Sequence, residues 1–225
     1  MNIAENILKH SLQNVYFLAG TALAGKTTMT ALLSKKHNLI PYYEDWNGKS
    51  MLEFQSICNE KYQPQSNQHK HTDWEAHFGR TVEEFLADEA RSENDNAYLQ
   101  FAIIDLIKIS QNNRVITDLY MPISLLPEIS EYSRVACLLA SPEIVNCENY
   151  GKRESHKSFL DCLLSLKEPE KKIAVQDEVF RIGVERMFEE VRKNNLFNIV
   201  RTEESTIEDT LEKLEKHFQL EKAYV

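Results

Sequence analysis

Gly20-Thr-Ala-Leu-Ala-Gly25-Lys26-Thr27 is the stretch that decides how the chain is organised, because it spells G-x-x-x-x-G-K-[ST] in full. Just before it, Val15-Tyr-Phe-Leu-Ala19 is a short apolar run of residues that favour extended backbone, and Gly20 stops it. Just after it, from Lys26 to about Lys36, Thr27, Thr28, Met29, Leu32 and Leu33 follow a helical pattern. Strand, glycine-bounded loop and helix, in that order, are the context the motif requires. The glycines let the backbone curl so that successive N–H groups point at phosphate oxygens, and the helix N-terminus adds its dipole. These residues predict a phosphate cradle formed by Gly20, Thr21, Ala22, Leu23, Ala24, Gly25, Lys26, Thr27 and Thr28. Lys26 is expected to reach the β- and γ-phosphates of a nucleotide, and the Thr27 hydroxyl to sit on Mg2+.

Outward from the cradle, Asn38 to Tyr43 reads as a second strand that Pro41 interrupts. Ser50 to about Ser110 reads as helical with breaks, the polar segment Gln63 to His71 being an exposed loop. Thr72-Asp-Trp-Glu75 and Thr81-Val-Glu-Glu84 both have the form of a capping box and predict helix starts. Another helix is expected from about Asp95 to Gln111. Arg114 to Asp118 and Arg134 to Ala140 read as further strands, and Ser141-Pro142-Glu143 as a helix start. Helical sequence then runs to about Asn194, with breaks near Gly151 and Pro169, and places Phe180, Val184, Met187 and Val191 on one face. Leu196 to Val200 is the last strand, and a Ser205…Glu208 capping box opens the last helix. Five short apolar strands separated by helices predict an α/β fold: a parallel sheet covered on both faces, in three α/β/α layers.

The chain has 225 residues and a formal net charge of −9, which argues against non-specific binding to nucleic acid or to an anionic membrane. No apolar run approaches the roughly 20 residues that span a bilayer. The N-terminal segment MNIAENILKHSLQN lacks the marks of a signal peptide. Cys58, Cys137, Cys147 and Cys162 are scattered, as reduced intracellular thiols are. A cytoplasmic protein is expected.

A magnesium nucleotide site needs a second carboxylate that holds the metal through water. Asp118, closing the apolar run Val-Ile-Thr-Asp, has that form. No N-K-x-D guanine motif follows a later strand, so ATP is the expected nucleotide.

Taken together, the cradle, an acidic end to the second strand, a helical insertion, the Asp118 strand and a late helical region resemble the P-loop small-molecule kinases. That group contains nucleoside and nucleotide kinases, shikimate kinase and antibiotic phosphotransferases. The resemblance implies a P-loop NTPase fold over residues 1–225, with sheet order 2-3-1-4-5, an acceptor-region insertion at about 46–112 and a helical lid at about 148–172. It also implies that Tyr42-Tyr43-Glu44-Asp45-Trp46 faces a small-molecule phosphate acceptor. By that resemblance Glu44 or Asp45 acts as general base, Trp46 and Arg80 hold the acceptor, and Arg153 neutralises the transferred phosphoryl group. Lys152, Lys157 and Arg181 are further cations of the same region. The nucleoside kinases place Arg directly after the third-strand acid, whereas Leu119 and Tyr120 follow Asp118. That departure, with few lid cations, keeps open a second reading, a non-catalytic nucleotide-responsive regulatory or interaction module.

His69, His71 and His77 lie in or near a polar loop without the fixed geometry zinc needs, and are read as solvated. Trp74 reads as an acceptor-stacking or a packing residue, and Glu168-Pro-Glu-Lys-Lys172 as a solvated helix start.

Overall fold

Neither face of strand β1 (Val15–Gly20) can stay wet, so it runs through the middle of the molecule. Alternate side chains of a strand point to opposite faces. Val15, Phe17 and Ala19 enter one core, while Tyr16 and Leu18 enter another on the far side. β3 (Val115–Thr117) and β4 (Val135–Ala140) divide their side chains in the same way. In this computed structural model, which describes residues 5–43, 73–94, 97–153 and 156–220, β2 (Ile40–Tyr42) and β5 (Asn198–Arg201) complete a five-stranded sheet of order β2-β3-β1-β4-β5. Every pairing is parallel. The sheet order is the one that the resemblance to the P-loop small-molecule kinases implies.

Helices cover both faces. On one side lie α1 (Glu5–Ser11), α5 (Ala97–Ser110) and α6 (Leu126–Ile129), with Leu99, Leu106, Leu126 and Ile129 buried against the sheet. On the other lie α2 (Lys26–His37) and α10 (Ile207–His217), through Met29, Leu33 and Leu214. Phe17 and Leu138 are among the largest wholly buried side chains, and each such burial contributes about 1.5–3 kcal/mol. The long α9 (Pro169–Lys193) spans the molecule; Val191 joins the first core and Val184 the second.

A third, smaller core is purely helical. It joins α3 (Trp74–Phe78) and α4 (Val82–Asn94) to α7 (Cys147–Gly151), α8 (Lys157–Ser165) and α9 through Phe78, Phe85, Cys147, Leu163 and Val179. The segments expected as acceptor insertion and lid therefore pack on each other.

Pro41 is tolerated because, among the described residues, β2 is an edge strand that pairs with β3 alone, and Pro41 sits opposite Ile116. Thr81 and Glu84 form the expected reciprocal box: the Glu84 carboxylate accepts from Thr81 N–H at 2.8 Å and the Thr81 hydroxyl from Glu84 N–H at 3.3 Å. Other expected starts shift. Thr72 lies outside the described residues, and Asp73 caps α3, accepting from Ala76 N–H at 3.0 Å. At the last helix the cap is Thr206, bonded to Asp209 N–H at 3.1 Å, because the Ser205 hydroxyl is taken by Thr202 N–H at 2.9 Å.

Ser141-Pro142-Glu143 does not open a helix. The Ser141 N–H donates to Arg201 O at 3.1 Å, which keeps that residue tied to β5, and the chain makes a turn before Asn146 caps α7. The charge run Glu168 to Lys172 opens α9 as expected, with Glu168, Glu170 and Lys171 exposed, but Lys172 turns inward. Lys172 is 8 % exposed. Its ammonium lies 2.6 Å from Glu75 Oε1 and 2.5 Å from Lys167 O, and Glu75 also accepts from Lys167 N–H at 3.1 Å. A carboxylate on α3 thus anchors the start of α9. Among the described residues no helix is long and apolar enough to cross a membrane.

Candidate functional site

The carboxyl end of β1 is where the sheet order turns back, with β3 on one side and β4 on the other. Ligands of open parallel sheets bind in the crevice at such a point. Gly20 opens the loop there with φ +122°, and a Cβ built on it would lie 1.9 Å from Leu138 O on β4. Only glycine lets the two backbones come that close. Thr21 then locks the loop to β4: its N–H donates to Leu138 O at 3.1 Å, and its buried hydroxyl accepts from Ala140 N–H at 2.7 Å. Leu23 takes a left-handed φ of +59° with its side chain buried in the second core, and Gly25 takes φ +91°. Met29 N–H donates to Gly25 O at 3.0 Å, so the helix begins directly after the second glycine.

Lys26 folds back over this loop. Its ammonium donates to Gly20 O at 3.0 Å and to Thr21 O at 2.7 Å, which places the positive charge on the concave side of the turn. Thr27 and Thr28 are exposed on the first turn of α2. Residues 22–28 and Arg153 line a cleft of about 170 Å³. Of the nine residues expected to form the cradle, Ala22 to Thr28 line one cleft, with Arg153 on its wall.

Arg153 follows α7 and is half-buried. Burial lowers its pKa from the ordinary arginine value, and the nearby Arg201 guanidinium lowers it further. Arg201 closes β5, and its Nη1 donates to Leu23 O at 2.5 Å. Two guanidinium groups therefore stand within electrostatic reach of one another beside the loop. Sequence reasoning missed Arg201. A charged residue ending a strand is commonplace, and only the sheet order shows that this strand ends beside the loop.

Asp118 lies one residue beyond the Phe17–Thr117 pair, at the carboxyl end of β3, and is only 7 % exposed. Leu119 N–H donates to Thr117 Oγ1 at 3.1 Å and shapes the turn that follows. Tyr42 pairs with Thr117, so Tyr43 and Asp118 leave neighbouring strands side by side. Burial and then the charge of Asp118 raise the Tyr43 phenol above its usual pKa. A hydroxyl and a carboxylate are the hard oxygen donors Mg2+ prefers, so Thr27 and Asp118 suit that ion chemically.

Three of the expected acceptor residues, Glu44, Asp45 and Trp46, lie outside the described residues, as do His69 and His71. Arg80 does not line the cleft. Its guanidinium pairs with Asp88, donates to His77 O at 3.1 Å and covers the Phe85 ring at 4.1 Å, joining α3 to α4. Trp74 is partly exposed and stacks on Phe78 with centroids 5.8 Å apart. Arg181 pairs with Glu178 and Glu185 on the surface of α9.

No protein-family model matches the chain, and no curated protein matches it.

Proposed function

We propose that the chain is a kinase: it binds ATP with Mg2+ at residues 20–28 and transfers the γ-phosphate to a hydroxyl of a small molecule. The observation that supports this best is the cleft itself, a glycine-bounded turn between a buried strand and a helix, with the Lys26 ammonium folded over it and Arg153 on its wall. Backbone N–H groups and the amino end of α2 favour an anion there. In this reading Lys26 and Arg153 offset the charge that builds on the transferred group. The Thr27 hydroxyl and Asp118 carboxylate would hold Mg2+, which neutralises phosphate charge when bound. Glu44 or Asp45 would take the proton of the attacking hydroxyl. The acceptor belongs to the polar hydroxyl compounds: a nucleoside, nucleotide, sugar-like molecule or antibiotic.

Calorimetric titration with ATP and ADP, with and without Mg2+, tests the first half. The expected result is binding by the wild type that Lys26→Ala abolishes; absence of nucleotide binding by the wild type would sink the reading. A screen of hydroxyl acceptors coupled to ADP release tests the second half. If nucleotide binds but no acceptor raises ADP release above slow hydrolysis, the non-catalytic regulatory module replaces the kinase.

A further inference from the structure

Leu23 is an unusual residue for its place. A leucine at φ +59° carries strain of about 1–2 kcal/mol, since its Cβ crowds the following carbonyl. Two contacts hold it there: its side chain is buried in the core between sheet and α2, and its carbonyl oxygen accepts from Arg201 Nη1 at 2.5 Å. The second contact comes from 178 residues further along the chain, at the end of the edge strand β5. Arg201 is exposed along that edge, so nothing about core packing requires its side chain to turn inward. It turns toward the loop nonetheless. There it meets Arg153, the cation on the cleft wall, and the two positive charges are close enough to disfavour each other. Among the described residues neither guanidinium forms an ion pair. Like charges held near one another favour a bound anion, and each gains when a polyphosphate occupies the cleft.

We propose that Arg201 is a positioning residue of the phosphate loop, holding Leu23 in its left-handed turn by a charge-assisted bond and setting a second cation beside Arg153. This rests on the nucleotide-binding reading and adds to it a residue outside the motif. Its ligand class is a nucleoside di- or triphosphate, whose chain of charges can use both cations.

The test compares Arg201→Met, Arg201→Lys and Arg201→Gln with the wild type. ADP and ATP affinities are measured at low and high salt, with thermal midpoints as the folding control. A lost bond to a charged donor predicts that Arg201→Met weakens ADP binding by about tenfold. Arg201→Lys, which keeps the charge and one donor for Leu23 O, should recover affinity to within about threefold of the wild type. The salt dependence of binding should be shallower in Arg201→Met, because one cation is gone. Wild-type affinity in Arg201→Met overturns the proposal, and so does an equal loss in Arg201→Lys and Arg201→Met. If Arg201→Met does not fold, Arg201→Gln reads the charge alone, and an affinity equal to the wild type's overturns the proposal. A wild type that binds neither nucleotide overturns the kinase reading and this inference together, whereas wild-type binding with an unaffected Arg201→Met overturns only the inference.

Discussion

Replacing Gly20 by alanine should unfold the molecule more readily than any other one-carbon addition to the loop. The added Cβ would stand 1.9 Å from Leu138 O, 2.7 Å from Leu138 C and 2.9 Å from Leu138 N, all backbone atoms of a central strand that cannot rotate aside. Restoring an ordinary C···O contact of about 3.3 Å requires the ends of β1 and β4 to part by more than an ångström. That movement breaks the Thr21 N–H to Leu138 O bond, now 3.1 Å, and strains the bond from Ala140 N–H to the Thr21 hydroxyl. A lost backbone bond costs about 1 kcal/mol, overpacking about 1–3 kcal/mol, and an alanine at this φ about 1–3 kcal/mol. A total of about 4 kcal/mol lowers the Tm of a domain of this size by about 8–16 °C. Gly25→Ala is the control. It has a positive φ of +91° but nothing within 4 Å of its Cβ, so it should cost about 1–2 kcal/mol and about 2–8 °C. Calorimetric or circular-dichroism melts of the two variants decide the matter. A Gly20→Ala protein that melts within about 3 °C of the wild type, or a Gly25→Ala protein that loses as much as Gly20→Ala, would falsify the close-approach argument.

Three further outcomes are expected. Burial raises the pKa of Glu215, but hydrogen bonds from Lys36 and His37 outweigh it and hold the carboxyl below its usual range. A depressed carboxylate pKa stabilises the fold above the unfolded value and loses that contribution as pH falls through the folded value. The Tm gap between the wild type and Glu215→Gln should therefore be constant above about pH 5 and close below it; a gap that widens in acid contradicts the assignment. Lys172→Ala removes the partner of Glu75 and should lower stability by about 1–3 kcal/mol, read as a reduced urea midpoint; an unchanged midpoint contradicts the anchoring role. Burial pushes the Cys137 thiol up to about 12, with Lys26 pulling weakly the other way, and raises Cys147 further. Iodoacetamide at pH 8 should leave both unlabelled until the protein is unfolded, as peptide mass mapping would show, and fast native labelling of either would refute their burial.

Some elements were legible because their causes are local. The apolar run Val15 to Ala19, the glycines at both ends of the loop and the helical spacing after Lys26 lie within one short segment. So does the reciprocal Thr81–Glu84 cap. The misread elements have distant causes. Ser141 looks like a helix cap, yet Arg201 O holds its N–H in the sheet. Lys172 looks solvated, yet Glu75, 97 residues away, buries it.

By itself the sequence determined the glycine-bounded loop, its strand and helix, and the α/β class, since each follows from residue type and spacing over a few turns of chain. Tertiary structure alone decided why Gly20 must be glycine, which arginines stand beside the loop and how the insertion packs on the later helices. Those depend on β1 meeting β4, on β5 ending next to the glycine-bounded loop and on α3 meeting α9. Such meetings are set by the packing of two sheet faces and a helical core, and no stretch of neighbouring residues encodes them.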